Sequence, residues 1–188
     1  MKTFISGGCK NGKSYYALKA AEANGKPLYY IATMVSADNE DDERIARHKA
    51  EREGLGFTTL EIKRDIDKLP PSCDLNGSFL LDSVTALLAN EMFSGGEIYY
   101  NAYEKVICDI QSLIKKVSNI VIVSDYIYSD AFLYDSITES YRKGLGLADR
   151  AIAAECDHVA EVTFGNVIVY KVGATVPGRP HCAFMCLS

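Results

Sequence analysis

No stretch of the 188 residues stays apolar long enough to cross a bilayer, which takes about 20 consecutive apolar residues in a helix. The opening MKTFIS reaches glycine before the apolar core of a secretory signal could form, so no leader is expected. A broad basic face is missing too. Net charge is -5 and the lysines and arginines are spread along the chain, which argues against DNA or RNA as a partner. The six cysteines (Cys9, Cys73, Cys108, Cys156, Cys182 and Cys186) contain no CxxC pair and no framework spacing. Reduced thiols and a cytoplasmic location are therefore expected. His181, Cys182 and Cys186 lack the fourth ligand and the short spacing of a zinc site. Neither an internal repeat nor a low-complexity tract interrupts the chain. What is present is 48% apolar and 24% charged, a globular composition, in a length that suits one α/β unit.

The pattern alternates strands and helices. KTFIS reads as a buried strand, then a glycine loop and a helix ending at Asn24-Gly25, where glycine accepts the left-handed capping conformation. PLYYIAT is a second strand. SADNEDDERIARHKAEREG begins with acids and ends with bases before a glycine, the order a helix dipole favours, and predicts a mostly exposed helix. FTTLEI and SFLLDS are strands, the latter running straight into the helix VTALLANEMF. Further helices are predicted over Glu97 to Lys116 and Tyr134 to Glu155, with the strand NIVIVSD between them. HVAEVTF and NVIVYKV close the series as a hairpin around Gly165-Asn166. The fold class is α/β: a mainly parallel sheet with helices on both faces and a terminal antiparallel hairpin. Residues 1–173 form one domain in this reading, and 174–188, with two prolines and no clear period, form a C-terminal tail.

Gly7, Gly12, Lys13 and Ser14 fit GxxxxGK[ST] with a strand before and a helix after. Glycines let successive backbone N–H groups turn around phosphate oxygens, and the helix start adds partial positive charge. Lys13 reaches the outer phosphates and the Ser14 hydroxyl holds Mg²⁺. Such a loop works with a carboxylate at the end of a neighbouring strand. Asp82 and Asp125 both stand at such ends, either of which could instead cap the next helix. Asp82 is favoured, because its strand is fully apolar and leads directly into a helix.

Arg44, His48 and Arg52 recur every four residues, with Lys49 beside them, and so line one helical face. Two guanidiniums near an imidazole favour its uncharged form, a nucleophile for phosphorus, and can neutralise phosphate charge. The plain alternative is a solvated face of mixed charge, paired within the helix by Glu43 and Glu51. His158, at the start of a strand, and His181, in the tail, are weaker candidates.

The segments FISGGCKNGKS, LYYIAT, DDERIARHKAER, TTLE and LLDSVTALLANEMF, in this order, resemble the bifunctional adenosylcobinamide kinase and adenosylcobinamide-phosphate guanylyltransferase of cobalamin biosynthesis. The resemblance implies a RecA-like P-loop fold, usually a trimer. It implies phosphorylation of the aminopropanol arm of adenosylcobinamide, followed by transfer of GMP to that phosphate through a guanylyl-histidine. GTP, ATP and Mg²⁺ come with it, and adenosylcobinamide and its phosphate are the substrates. Carried over by position, Gly7, Gly8, Cys9, Lys10, Asn11, Gly12, Lys13 and Ser14 hold the phosphates, and Ser14 and Asp82 serve the metal. Thr33 and Met34 lie in the nucleotide loop, and Lys49, Arg52, Glu61 and Asp82 sit around GTP. His48 falls in the histidine segment as the nucleophile. Two stretches depart from the family's usual pattern: SDYIYSDAFLYDS replaces an Asn-Glu with a glycine-containing loop, and GLADR stands where GxxNQ is usual. Arg47 occupies a position where some relatives have a second histidine.

Two other readings fit the same residues. One is a P-loop kinase or NTPase for another small molecule, with His48 a mere phosphate contact. The other is a nucleotide-gated interaction module.

Overall fold

A computed structural model describes residues 1–173. The 174–188 tail, with His181, Cys182 and Cys186, lies outside the described residues. Seven strands form one sheet: β1 (Lys2–Gly7), β2 (Leu28–Ala32), β3 (Phe57–Glu61), β4 (Ser78–Asp82), β7 (Asn119–Asp125), β8 (His158–Thr163) and β9 (Asn166–Val172). Their order is β3-β2-β4-β7-β1-β8-β9, with only β9 antiparallel. This is the RecA-like arrangement, in which one strand, β7, separates the strand feeding the glycine loop from the strand that ends in Asp82. The hairpin turns at Phe164 and Gly165, both with positive φ.

Helix α1 (Lys13–Ala23) covers one face, packing Ala17, Leu18 and Ala21 against Ile5, Leu80, Val121 and Val123. The opposite face carries α3 (Val84–Met92), α4 (Ala102–Lys116) and α5 (Ser136–Glu155). On α4, Val106, Ile107, Ile110, Leu113 and Ile114 fall at the spacing of a single helical stripe and join Phe79, Leu81, Ile120 and Ile122 in the larger core. Strands buried on both faces by these helices read as unbroken apolar runs.

One predicted boundary moves. The helix expected from Glu97 begins at Ala102, and the preceding residues form a short hairpin of β5 (Phe93–Ser94) and β6 (Glu97–Ile98). Gly95 and Gly96 both have positive φ at its tip, a backbone path that no helix continues. Cys9, Cys73 and Cys156 are free thiols, whereas Cys108 is disulfide-bonded, which corrects the expectation of a fully reduced set.

Helix α2 (Asn39–Glu51) is capped by Asp38, whose side chain accepts the Asp41 N–H at 2.9 Å, and it begins with Glu40, Asp41 and Asp42. None of its residues is fully buried. The pattern predicted this exposure. The few side chains that tie α2 to the sheet are those of the candidate site.

Candidate active site

The glycine loop occupies the carboxyl end of β1, where ligands of open α/β sheets gather. A Cβ on Gly7 would lie 2.5 Å from the Val162 carbonyl, and Gly12 has φ +91 at the cap of α1, so both positions require glycine. The Asn11 amide bonds the Val162 carbonyl and pins the loop to β8. Lys10 sits on the outer side, in a solvent-exposed pair with Glu40. Lys13 is buried. Its Nζ donates to the Gly8 carbonyl and to Asp125 Oδ1, both at 2.6 Å.

The two strand-end carboxylates divide the work. Asp125 faces the loop: Oδ1 takes Lys13 and Oδ2 takes Arg44 Nη2 at 3.5 Å. Asp82 faces the histidine, with His48 Nδ1 3.1 Å from its Oδ2. The same oxygen accepts the Tyr30 hydroxyl at 2.6 Å. Burial opposes the Asp82 charge, but the hydrogen bond and charge of His48, then Tyr30 and Arg44, hold its carboxyl below the usual carboxylate range. Burial, then the Asp82 charge, pushes the Tyr30 phenol well above its ordinary range, which keeps it protonated as a donor. When the ring is uncharged, Nδ1–H given to Asp82 leaves Nε2 of His48 as the nitrogen with a free lone pair.

The arginines act differently from the expectation that they flank the ring. Arg44 reaches across to Asp125. Arg52 lies 3.8 Å from the centroid of the Tyr30 ring and donates to the backbone carbonyl of His48 at 2.7 Å. Spacing by four aligns Cβ atoms, yet long guanidiniums travel to the nearest carboxylate or aromatic face. His48 is thus oriented by an acid and a phenol, and the arginines fix its helix.

Two cavities meet at this point. One, of about 450 Å³, is lined by Cys9 to Ser14 of the loop together with Arg44, His48, Asp82 and Asp125. The other, of about 350 Å³, takes in Met34, Lys49, Arg52, Glu61 and Lys63. His48 and Asp82 line both. The structure therefore brings together the phosphate loop, the histidine and the residues carried over as nucleotide contacts. Gly7 and Gly8 line neither cavity; the Gly8 carbonyl instead accepts Lys13 Nζ. Thr33 is buried: its hydroxyl donates to the Ser83 carbonyl at 2.9 Å and accepts the Ser83 N–H at 2.7 Å. That pair holds the turn carrying Asp82, whose peptide bond to Ser83 is cis.

Sequence reasoning passed over Tyr30, because a tyrosine inside an apolar strand reads as core. It left Asp125 as the second choice for the loop, although Asp125 is the carboxylate in contact with Lys13. Ser14 and Asp82, the residues carried over for a divalent metal, both line the first cavity, and Asp82 Oδ1 is the oxygen not engaged by Tyr30 or His48. Elsewhere among the described residues, Asp65, Glu91 and Asp109 cluster within ligand distance of one another. Lys105 Nζ already sits 2.6–2.8 Å from all three, so that group is an ion-pair cluster.

A family model described as cobinamide kinase / cobinamide phosphate guanyltransferase matches residues 3–169. A protein of Pseudomonas aeruginosa named bifunctional adenosylcobalamin biosynthesis protein CobP is 26% identical over 165 residues, covering 88% of this chain and 94% of its own. One of Escherichia coli K12 named bifunctional adenosylcobalamin biosynthesis protein CobU is 28% identical over 184 residues, covering 91% and 100%. Among solved structures, the P4 protein of bacteriophage phi6 in complex with ADP has a TM-score of 0.45 at 16% identity, covering 88% of this chain and 52% of that one. A prototypical ATPase of a bacterial type III secretion system scores 0.40 at 15% identity, covering 86% and 50%.

Proposed function

Because the chain belongs to the cobinamide kinase / cobinamide phosphate guanyltransferase family, a family of transferases, we propose that it phosphorylates adenosylcobinamide and then transfers GMP from GTP to that phosphate through a guanylyl-histidine at His48. The observation that carries this reading is the single cavity lined by both the phosphate loop and His48.

In the kinase step the loop amides and Lys13 grip the triphosphate of ATP or GTP. Lys13 exchanges its Gly8 and Asp125 partners for phosphate oxygens. The hydroxyl of the aminopropanol arm attacks the γ-phosphorus, the bond to the β–γ bridging oxygen breaks, the nucleoside diphosphate leaves, and the hydroxyl proton passes to solvent. Positioning and charge neutralisation supply most of the acceleration. Ser14 and Asp82 would hold Mg²⁺, which when bound neutralises charge on the phosphate oxygens.

In the guanylyl step Nε2 of His48 attacks the α-phosphorus of GTP, a P–N bond forms, and pyrophosphate departs. The ring becomes positively charged, and Asp82, already bonded to Nδ1, stabilises that charge while Tyr30 holds the carboxylate in place. An oxygen of adenosylcobinamide phosphate then attacks the same phosphorus. The P–N bond breaks and the neutral ring is restored. Met34, Lys49, Arg52 and Glu61 line the adjoining cavity as contacts for the rest of the nucleotide. The reading includes a trimer in the cytoplasm, checked by mass in solution and by fractionation.

The test is incubation with GTP labelled at the α-phosphate, followed by a search for an acid-labile, base-stable protein adduct. Loss of the adduct in His48→Ala, with folding and GTP binding retained, is the expected result. Label taken only from the γ position would replace this reading with a plain kinase. Nucleotide-dependent capture of a protein partner, with no labelled acceptor, would replace it with an interaction module.

A further inference from the structure

Residues 126–135, YIYSDAFLYD, connect β7 to α5 and begin at the phosphate loop. The Tyr126 N–H donates to the Gly7 carbonyl at 3.2 Å, and its hydroxyl lies 4.0 Å from where a Cβ on Gly8 would stand. The segment has no regular secondary structure, yet it is built around one buried guanidinium. Arg142 donates to the carbonyls of Ile127, Asp130 and Phe132 at 3.2–3.3 Å. It also bonds the carboxylates of Asp130 at 3.0 Å and Glu139 at 2.7 Å, and lies 4.6 Å from the centroid of the Tyr134 ring.

So firm a clamp serves an unusual display. Phe132 is 74% and Leu133 98% exposed, with Ile127 and Tyr134 also exposed nearby. Single exposed apolar residues are ordinary, but several on one anchored loop beside a phosphate site are the mark of a ligand or partner surface. Behind the same segment lies a cavity of about 540 Å³, with Tyr126, Tyr128, Tyr170 and Glu161 in its lining. Each Glu161 oxygen accepts one tyrosine hydroxyl, Tyr126 at 2.9 Å and Tyr170 at 2.6 Å. A carboxylate has about four lone-pair sites, so acceptor capacity remains for a ligand.

We propose that this loop and the cavity behind it receive the corrin ring of the acceptor, Phe132 and Leu133 packing against its methyl-bearing edge and Glu161 accepting N–H groups from its amide arms. Cobinamide is a broad macrocycle whose periphery carries both methyl groups and primary-amide arms, and this surface offers a partner to each of those two features. The location also fits, because the ring must dock where its aminopropanol arm can reach the phosphate loop, and Tyr126 joins the two. The inference rests on the proposed function only for the identity of the acceptor. Arg142 is a positioning residue here, acting through the loop it holds.

The experiment is equilibrium dialysis of adenosylcobinamide, followed by its visible absorption, against the full chain and the variants Leu133→Asp and Phe132→Ser, with α-labelled GTP incorporation measured in parallel. Both side chains are exposed, so neither change disturbs the core. At least tenfold weaker cobinamide binding, with nucleotide binding and adduct formation as in the unaltered protein, is expected. Unchanged cobinamide affinity in both variants overturns the site, and if oligomeric mass changes at the same time the patch belongs to a second copy of the chain. Failure of the unaltered protein to bind cobinamide overturns both the site and the acceptor assignment. Absence of the GTP adduct, with cobinamide binding still lost in the variants, sinks the histidine step alone and leaves the site supported.

Discussion

Nδ1 of His48 and Oδ2 of Asp82 stand 3.1 Å apart, joining the last turn of α2 to the end of β4. A helix with no buried residue is thereby fastened to the sheet at its one histidine. The bond selects the ring nitrogen that stays free, which is the requirement for a nucleophile with a fixed direction of attack.

Asp82→Asn should slow formation of the GTP adduct by about 10²- to 10⁴-fold, the scale on which an acid that orients a catalytic histidine acts. The kinase reaction should fall less, since there Asp82 is proposed to serve only the metal. Single-turnover labelling beside a steady-state kinase assay separates the two. Equal losses in both would place Asp82 at the metal and away from the histidine.

Tyr30→Phe keeps the aromatic ring beneath Arg52 and removes only the donor to Asp82. A hydrogen bond to a buried carboxylate contributes about 1.5–3 kcal/mol. Urea denaturation should show a loss on that scale, with adduct formation slowed about tenfold, the order of rate effect of about 1.4 kcal/mol in a barrier. A wild-type rate in this variant would remove Tyr30 from the positioning of His48.

Asp125→Ala strips Lys13 of its counter-charge while Lys13 remains buried. Breaking a buried pair from one side costs about 3–5 kcal/mol. Bound triphosphate supplies new negative charge to the same ammonium. Added nucleotide should therefore raise the melting temperature of the variant by more than it raises that of the unaltered protein. An equal shift in both would show that Lys13 and phosphate do not meet.

Asp149 is buried behind Tyr128, whose hydroxyl donates to it at 2.9 Å. Burial raises its carboxyl to about 7, opposed by the Ser124 and Tyr128 hydroxyls and reinforced by the Asp125 charge. In the unfolded chain an aspartate titrates near about 3.9. The folded state thus binds the proton more tightly, and the associated stability is complete below about pH 4 and lost as pH rises to about 7. Asp149→Asn should abolish that slope and exceed the unaltered protein in stability at pH 8 by a few kcal/mol. Denaturation midpoints from pH 4 to 8 test it, and parallel curves for the two proteins would exclude a proton held at Asp149.

Much of this molecule was legible in the chain. GGCKNGKS between an apolar strand and a helix determines a phosphate loop, because glycine backbone freedom and a following helix are local requirements. The acids, bases and cap of α2 determine an exposed helix for the same local reason. Unbroken apolar runs determine strands covered on both faces. The glycine pair at 95–96 carried a local signal as well, since two consecutive residues of free backbone favour a turn over continued helix.

The division of labour between carboxylates was decided only by the tertiary structure. Asp82 and Asp125 are alike in sequence, each an acid closing an apolar strand. Strand order places β7 beside β1, so Asp125 meets Lys13, while β4 beside β2 places Asp82 under Tyr30 and His48. The same ordering turned the arginines away from the ring and made a core-like tyrosine part of the site. Periodicity along a chain fixes which face a side chain occupies. Which partner waits there depends on contacts between residues far apart in sequence, and those exist only once the sheet has assembled.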